Sequence, residues 1–402
     1  MSQIIVTDKA ARAIRGGHPW VYEGEVVSFE PTEDGAIADV CTQSGKWLGS
    51  GFYNSKSKIR VRLLTRNHND SIDAAFWQRR IRYAVDYRKT VMGDAFDNCR
   101  LIFGEADGFP GLTVDRFGPV LVAQVLSLGM ELRKAELFSD LVSYLRELGE
   151  TIDAVYERND VKLREREGMQ QGKGFFELPG LRTDLDGHVE IVENGVHYDV
   201  DYINGQKTGF FLDQKFNRAA VARLAKGKRV LDCFTHTGAF GLNCALAGAA
   251  EVISVDVSAD ALEQAAKNAA LTGVSDRVEY VKSDVFDLLT KLSEEKRGRY
   301  DLVILDPPAF TKSSATVASA IRGYKEINLK AMRILPRGGY LATCSCSHFM
   351  TDEKFRAMLH DAAKDAQVSL RQIEARQQGP DHPILWNVPE TDYLKFYIFQ
   401  IT

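Results

Sequence analysis

From about residue 189 the chain alternates short apolar runs with longer segments whose apolar residues recur every three or four positions, and that alternation narrows its possible folds most. The runs 229–232, 252–256, 278–282, 302–305 and 339–343 read as strands. Helical segments lie between them, such as 259–271 with its alanine-rich face. Such alternation predicts a doubly wound, mainly parallel α/β sheet. The tail Tyr393-Leu394-Lys395-Phe396-Tyr397-Ile398-Phe399-Gln400-Ile401 reads as a last strand with no helix after it, so a hairpin is expected to end the sheet.

Open α/β sheets bind ligands at the carboxyl ends of their strands. The run Val230-Leu231-Asp232-Cys233-Phe234-Thr235-His236-Thr237-Gly238 stops at an acid, turns through small polar residues and enters a helix at Gly238. Phe234, Thr235 and Gly238 are therefore candidates for a cofactor floor. His236 stands where a dinucleotide fingerprint needs its first glycine for the turn over a pyrophosphate. A cofactor without a pyrophosphate is expected.

At 402 residues the chain should hold two or three domains. It has no apolar run near the length of a membrane-spanning helix, and its first residues lack the basic and apolar regions of a signal peptide. The six cysteines are scattered, with no C-x-x-C pair, so neither a zinc site nor a disulfide framework is expected, and a cytoplasmic setting fits. The net charge of −4 neither demands nor excludes nucleic acid, so any such surface must be local.

Residues 1–72 carry short alternating segments broken by Gly, Pro and Asp, the pattern of a small β-barrel. Residues 73–92 are helical in spacing, and 73–188 as a whole read as a small α+β domain with a hairpin at Asp107-Gly108-Phe109-Pro110-Gly111. Residues 189–402 form the α/β domain.

Asp256 ends the second strand of that domain and suits ribose hydroxyls; Asp284, followed by Val285, ends the third and could accept from an adenine amine. Each could equally cap the helix that follows it. Asp306-Pro307-Pro308 closes the fourth strand, where two prolines force a stiff extended exit and hold an acid at the corner. With these strand ends in this order, the chain resembles the class I S-adenosylmethionine-dependent methyltransferases. The resemblance implies that cofactor and a planar base held by Asp306.

The fifth strand runs into Cys344-Ser345-Cys346-Ser347, where methyltransferases acting on pyrimidine C5 keep a nucleophile. That chemistry needs one, because C5 of cytosine is not nucleophilic until a thiolate adds to C6. Cys346 is the candidate nucleophile and Asp306 its catalytic partner, while free cysteines are also common as small core residues. Two-cysteine enzymes of this kind carry a second cysteine after the motif proline; here the loop reads Pro307-Pro308-Ala309-Phe310, which leaves the base for the last step unassigned. The same loop also suits N-methylation of an exocyclic purine amine, with Phe310 stacking on the base. Pro307, Phe310 and Lys312 are its candidate substrate contacts.

Lys56-Ser57-Lys58-Ile59-Arg60-Val61-Arg62-Leu63 places four cations in strict alternation. On a strand they would share one face, fit to follow a phosphate backbone or to blunt an edge strand.

Further stretches carry a closer resemblance: Gly17-His18-Pro19-Trp20, Gly104-Glu105-Ala106-Asp107-Gly108-Phe109-Pro110-Gly111-Leu112-Thr113-Val114-Asp115-Arg116, Tyr156-Glu157-Arg158-Asn159-Asp160, Lys207-Thr208-Gly209-Phe210-Phe211-Leu212-Asp213-Gln214 and Asp381-His382-Pro383. Through them the chain looks like the bacterial 23S ribosomal RNA 5-methylcytosine methyltransferases with an N-terminal PUA domain. The resemblance implies RNA binding by the first domain, a cofactor cover from Phe211, Asp213 and Gln214, and Cys346 as nucleophile. The implied substrate is 23S ribosomal RNA or a large-subunit precursor; the oligomeric state stays open, with a homodimer as one option. A non-catalytic assembly factor on the same scaffold is the remaining alternative.

Overall fold

The computed structural model describes residues 1–295 and 298–402. They form two compact units: Met1–Ile191 with Val200–Leu212 and Pro380–Thr391, and Val192–Asp199 with Asp213–Gly379 and Asp392–Thr402.

The first unit opens with a six-stranded sheet of β1 (Gln3–Val6), β2 (Trp20–Tyr22), β3 (Val26–Phe29), β4 (Ile37–Thr42), β5 (Trp47–Tyr53) and β6 (Ile59–Thr65), in the order β2-β6-β5-β4-β1-β3. β1 runs parallel to β4, and the other pairs are antiparallel. The helix Asp8–Arg15, capped by the Thr7 side chain, buries Ala10, Ala11 and Ile14 with Ile4, Val40 and Val61 from the strands.

A second sheet follows: β7 (Asn98–Phe103), β8 (Leu112–Phe117), β9 (Val120–Val125), β10 (Ala154–Asn159) and β11 (Gly172–Phe175), ordered β11-β10-β9-β8-β7. The expected turn at 107–111 joins β7 to its antiparallel partner β8. The expected helix is Ala74–Met92, started by the Asp73 carboxylate on the Phe76 amide. It buries Phe76, Trp77, Ile81, Ala84 and Val85, an inward face at three- and four-residue spacing.

The four-cation strand does not form. Lys56 and Lys58 lie in the loop before β6, both exposed, and only Arg60 and Arg62 are in the strand. β6 pairs on both sides, with β2 and β5, so it is not an edge strand either. Arg60 is tied to Glu23, and Arg62 bridges Glu105 and Glu167 at 3.0 Å each. Asn54-Ser55-Lys56-Ser57 turns because its side chains bond their own neighbourhood: the Lys56 amide donates to the Asn54 side chain, and the Ile59 amide donates to the Ser57 hydroxyl.

β12 (His188–Glu193) and β13 (Val196–Asp201) make a separate two-stranded sheet. The sheet of the second unit has seven strands: β14 (Arg229–Cys233), β15 (Glu251–Asp256), β16 (Val278–Lys282), β17 (Leu302–Leu305), β18 (Tyr340–Ser345), β19 (Leu370–Arg376) and β20 (Lys395–Ile401). Their order is β16-β15-β14-β17-β18-β20-β19. β14 to β18 are parallel, while β20 inserts antiparallel between β18 and β19, the hairpin expected of the tail. The order reverses between β14 and β17, so a crevice opens outside the carboxyl ends of those two strands. Leu231, Val303, Leu305 and Leu341 fill the core beneath it, packed by Leu289, Tyr324 and Phe355 from the helices.

Candidate active site

At that switch point stand two acids, Asp232 buried and Asp306 half-buried. Asp232, at the end of β14, accepts from the Thr235 hydroxyl at 2.5 Å and the Gly241 amide at 2.8 Å, both on Oδ2. Its Oδ1 is buried with no hydrogen-bond partner among the described residues. Burial drives its carboxyl up to about 7 against the help of those two donors. Asp306, after β17, accepts on Oδ1 from Gln214 Nε2 at 3.2 Å and from the Cys344 thiol at 2.8 Å. Burial raises it to about 6, with the Cys344 donor working against that.

The turn after β14 is tight. Phe234 and His236 take positive φ values of 62° and 51°, and Gly238 follows at 85°. The His236 amide donates to Asp256 Oδ2 at 2.9 Å, and the Ser258 amide to its Oδ1 at 2.9 Å. Asp256 thus links two successive strand ends and half-emerges at the crevice. Gly241 lets the helix Ala239–Leu246 lie close on the sheet: a Cβ there would sit 2.7 Å from Ser254 Oγ and 3.0 Å from Asp232 Oδ2.

Asp284 is exposed and caps the helix Val285–Glu294, its Oδ1 taking the Phe286 amide at 2.7 Å and the Asp287 amide at 3.3 Å. Val285 sends its side chain into the core. Asp213 and Gln214, from the segment preceding the sheet, are both buried. Gln214 reaches Asp306 directly, while Asp213 accepts from the Tyr393 hydroxyl at 2.6 Å. Phe211 falls in the first unit, half-buried, with the Lys207 ammonium 4.6 Å above its ring.

In the Asp306–Lys312 loop Pro307 is buried and Lys312 exposed. Phe310 is engaged in a ring cluster, 4.5 Å from Tyr324, 5.7 Å from Phe286 and 6.4 Å from Phe234 between centroids.

Among the described residues, five cysteines are buried and Cys346 alone is part-exposed. Its backbone is held on both flanks. The Ser345 hydroxyl donates to the Tyr324 hydroxyl at 3.0 Å, and the Ser347 hydroxyl donates to the Thr311 carbonyl at 2.8 Å. A group absent from the candidates above completes the fixing. Lys395, in register with Ser345 across the β18–β20 ladder, donates from Nζ to the Ser347 carbonyl at 2.6 Å and to the Tyr393 carbonyl at 2.8 Å. Its only sequence signal is a lone cation in a mainly apolar terminal strand.

Residues 181–399 match the family model described as S-adenosylmethionine-dependent methyltransferase, and residues 4–66 match the model of a PUA-like domain. The chain is 38% identical, over 99% of both chains, to a protein of Escherichia coli O139:H28 named ribosomal RNA large subunit methyltransferase I. A protein of the same name from Klebsiella pneumoniae is 37% identical over 99% of this chain and 98% of its own. Among solved structures, one from Streptococcus mutans, described as a SAM-dependent methyltransferase, superposes with a TM-score of 0.81 at 20% identity, covering all of both chains. Another methyltransferase, solved with S-adenosylhomocysteine, gives 0.83 at 19% identity with the same coverage. These two likenesses establish the fold.

Proposed function

The chain belongs to the S-adenosylmethionine-dependent methyltransferases that carry an N-terminal PUA-like domain, and from that premise we propose that it methylates C5 of a cytidine in 23S ribosomal RNA. The relatives named for the large ribosomal RNA support the substrate class. The part-exposure of Cys346, alone among the cysteines of the described residues and two positions beyond the Cys344 that donates to Asp306, carries the choice of chemistry.

The donor set suits the cofactor. Acids at four successive strand ends, Asp232, Asp256, Asp284 and Asp306, offer acceptors for an ammonium, ribose hydroxyls and an adenine amine, above a turn opened by Gly238. When bound, S-adenosylmethionine supplies an electrophilic methyl group on a sulfonium. Asp306 would accept from the cytosine amine and hold the ring. The Cys346 thiolate would add to C6, and the C5–C6 π electrons would move to C5, which then forms its bond to the methyl carbon as the carbon–sulfonium bond breaks. Loss of the C5 proton to a base would return the electron pair to C5=C6 and expel the thiolate.

N-methylation of a purine would instead ask Phe310 to stack on the base, and its ring is already packed among Tyr324, Phe286 and Phe234. A fluorine at C5 blocks the proton loss. Target RNA containing 5-fluorocytidine, incubated with the protein and S-adenosylmethionine, should therefore give a denaturant-stable adduct mapping to Cys346. An RNA methylated elsewhere, with no adduct, contradicts the reading.

A further inference from the structure

Lys395 occupies a position where a lysine is costly. It is 6% exposed, in a strand whose neighbours Leu394 and Phe396 are core residues. A buried ammonium needs partners or a counter-charge. Two of its three protons go to the carbonyls of Ser347 and Tyr393. The strand ladder sets it opposite Ser345, and its Nζ grips Ser347, so it brackets Cys346 from both sides in sequence.

We propose that Lys395 is a positioning residue that holds Cys346 as a thiolate, its ammonium serving as the counter-charge and its two carbonyl bonds fixing the loop that presents the sulfur. This rests on the reading of Cys346 as nucleophile. The electrostatics agree with the geometry. Burial lowers the Lys395 ammonium to about 8, and the Cys346 sulfur is the foremost charge acting to keep it protonated. Asp392, Cys344 and Asp352 act in the same sense. Tyr324, whose ring lies on the other flank, is pushed up to values at which it stays neutral, so it supplies no competing charge. Burial, and after it the Asp306 carboxylate, keeps the Cys344 thiol protonated. Of the two cysteines, Cys344 is thus held as a thiol by a carboxylate, while Cys346 is set beside a cation. Cations next to a thiol lower its pKa from an ordinary value of about 8.5.

The test reads the thiol without RNA. The rate of Cys346 alkylation by iodoacetamide, followed by peptide mass spectrometry, is measured from pH 5.5 to 10 in the full-length protein and in Lys395→Gln, Lys395→Met and Lys395→Arg. The wild-type midpoint should fall below 8.5. Lys395→Gln, which can still donate to a carbonyl but carries no charge, should move it up by about one unit or more, and Lys395→Arg should keep it low. A wild-type midpoint at or above 8.5 overturns the proposal on the wild-type protein alone. So does a folded Lys395→Gln or Lys395→Met with the wild-type midpoint. A methyl group found on another base would instead fail the nucleophile reading and leave this titration where it stands.

Discussion

The Cys344 thiol donates to Asp306 Oδ1 at 2.8 Å, which divides the labour between two cysteines only two residues apart. Cys344 is fully buried and steadies the carboxylate at the switch point; Cys346, just beyond the strand end, meets solvent. Cys346→Ala should lower methyl transfer by at least about a thousandfold while S-adenosylmethionine still binds in calorimetry. Cys344→Ala removes one hydrogen bond to a charged group, about 1.5–3 kcal/mol, and should lower kcat roughly ten- to hundredfold. Equal losses in the two variants would contradict the division.

Asp232 links stability to pH. Its carboxyl titrates near 7 in the folded protein and near 3.8 unfolded. Below about pH 4 both states hold the proton. Between about 4 and 7 the unfolded chain releases it and the folded protein keeps it, so rising pH lowers stability by up to about 1.4 kcal/mol per unit. Asp232→Asn removes that slope. Urea unfolding at pH 5, 6 and 7 should show the variant gaining steadily on the wild type, and a constant difference would refute the assignment.

Arg62 holds two carboxylates of the first unit. Its alanine variant leaves Glu105 and the buried Glu167 without their cation, and should cost the first unit about 3–5 kcal/mol in denaturant unfolding. Lys56→Ala and Lys58→Ala are at exposed sites and should change stability by less than about 0.5 kcal/mol. If those lysines meet RNA phosphates, each loss should weaken binding and reduce the salt slope by about one.

Gly241→Ala places a methyl 2.7 Å from Ser254 Oγ and 3.0 Å from Asp232 Oδ2. Pushing the helix off the sheet should cost about 1–3 kcal/mol in unfolding experiments and raise the KM for S-adenosylmethionine, because the same helix start carries the turn at Gly238. An unchanged KM would separate packing from cofactor binding at this turn.

The strand ends were legible because an acid or proline that stops an apolar run is a local signal. Asp232, Asp256 and Asp306 stand at successive carboxyl ends of the parallel sheet, and even the final hairpin follows from a strand with no helix after it. What was not legible depends on distant partners. Four cations at alternate positions suggest a charged strand face, but Glu105 and Glu167 lie 43 and 105 residues from Arg62, and no local pattern announces them. Lys395 meets the Cys346 loop from 48 residues away through an antiparallel ladder whose register the sequence does not reveal. Phe310 fits a base-stacking motif in sequence, and only the packing of Tyr324 and Phe286 against it reveals its other employment.

The most direct measurement is a nucleoside analysis: unmodified 23S ribosomal RNA is incubated with the protein and methyl-labelled S-adenosylmethionine, digested, and the labelled nucleoside identified. The account predicts label in 5-methylcytidine. Label in an N-methylated purine would contradict it and move the chemistry to the Asp306–Phe310 loop.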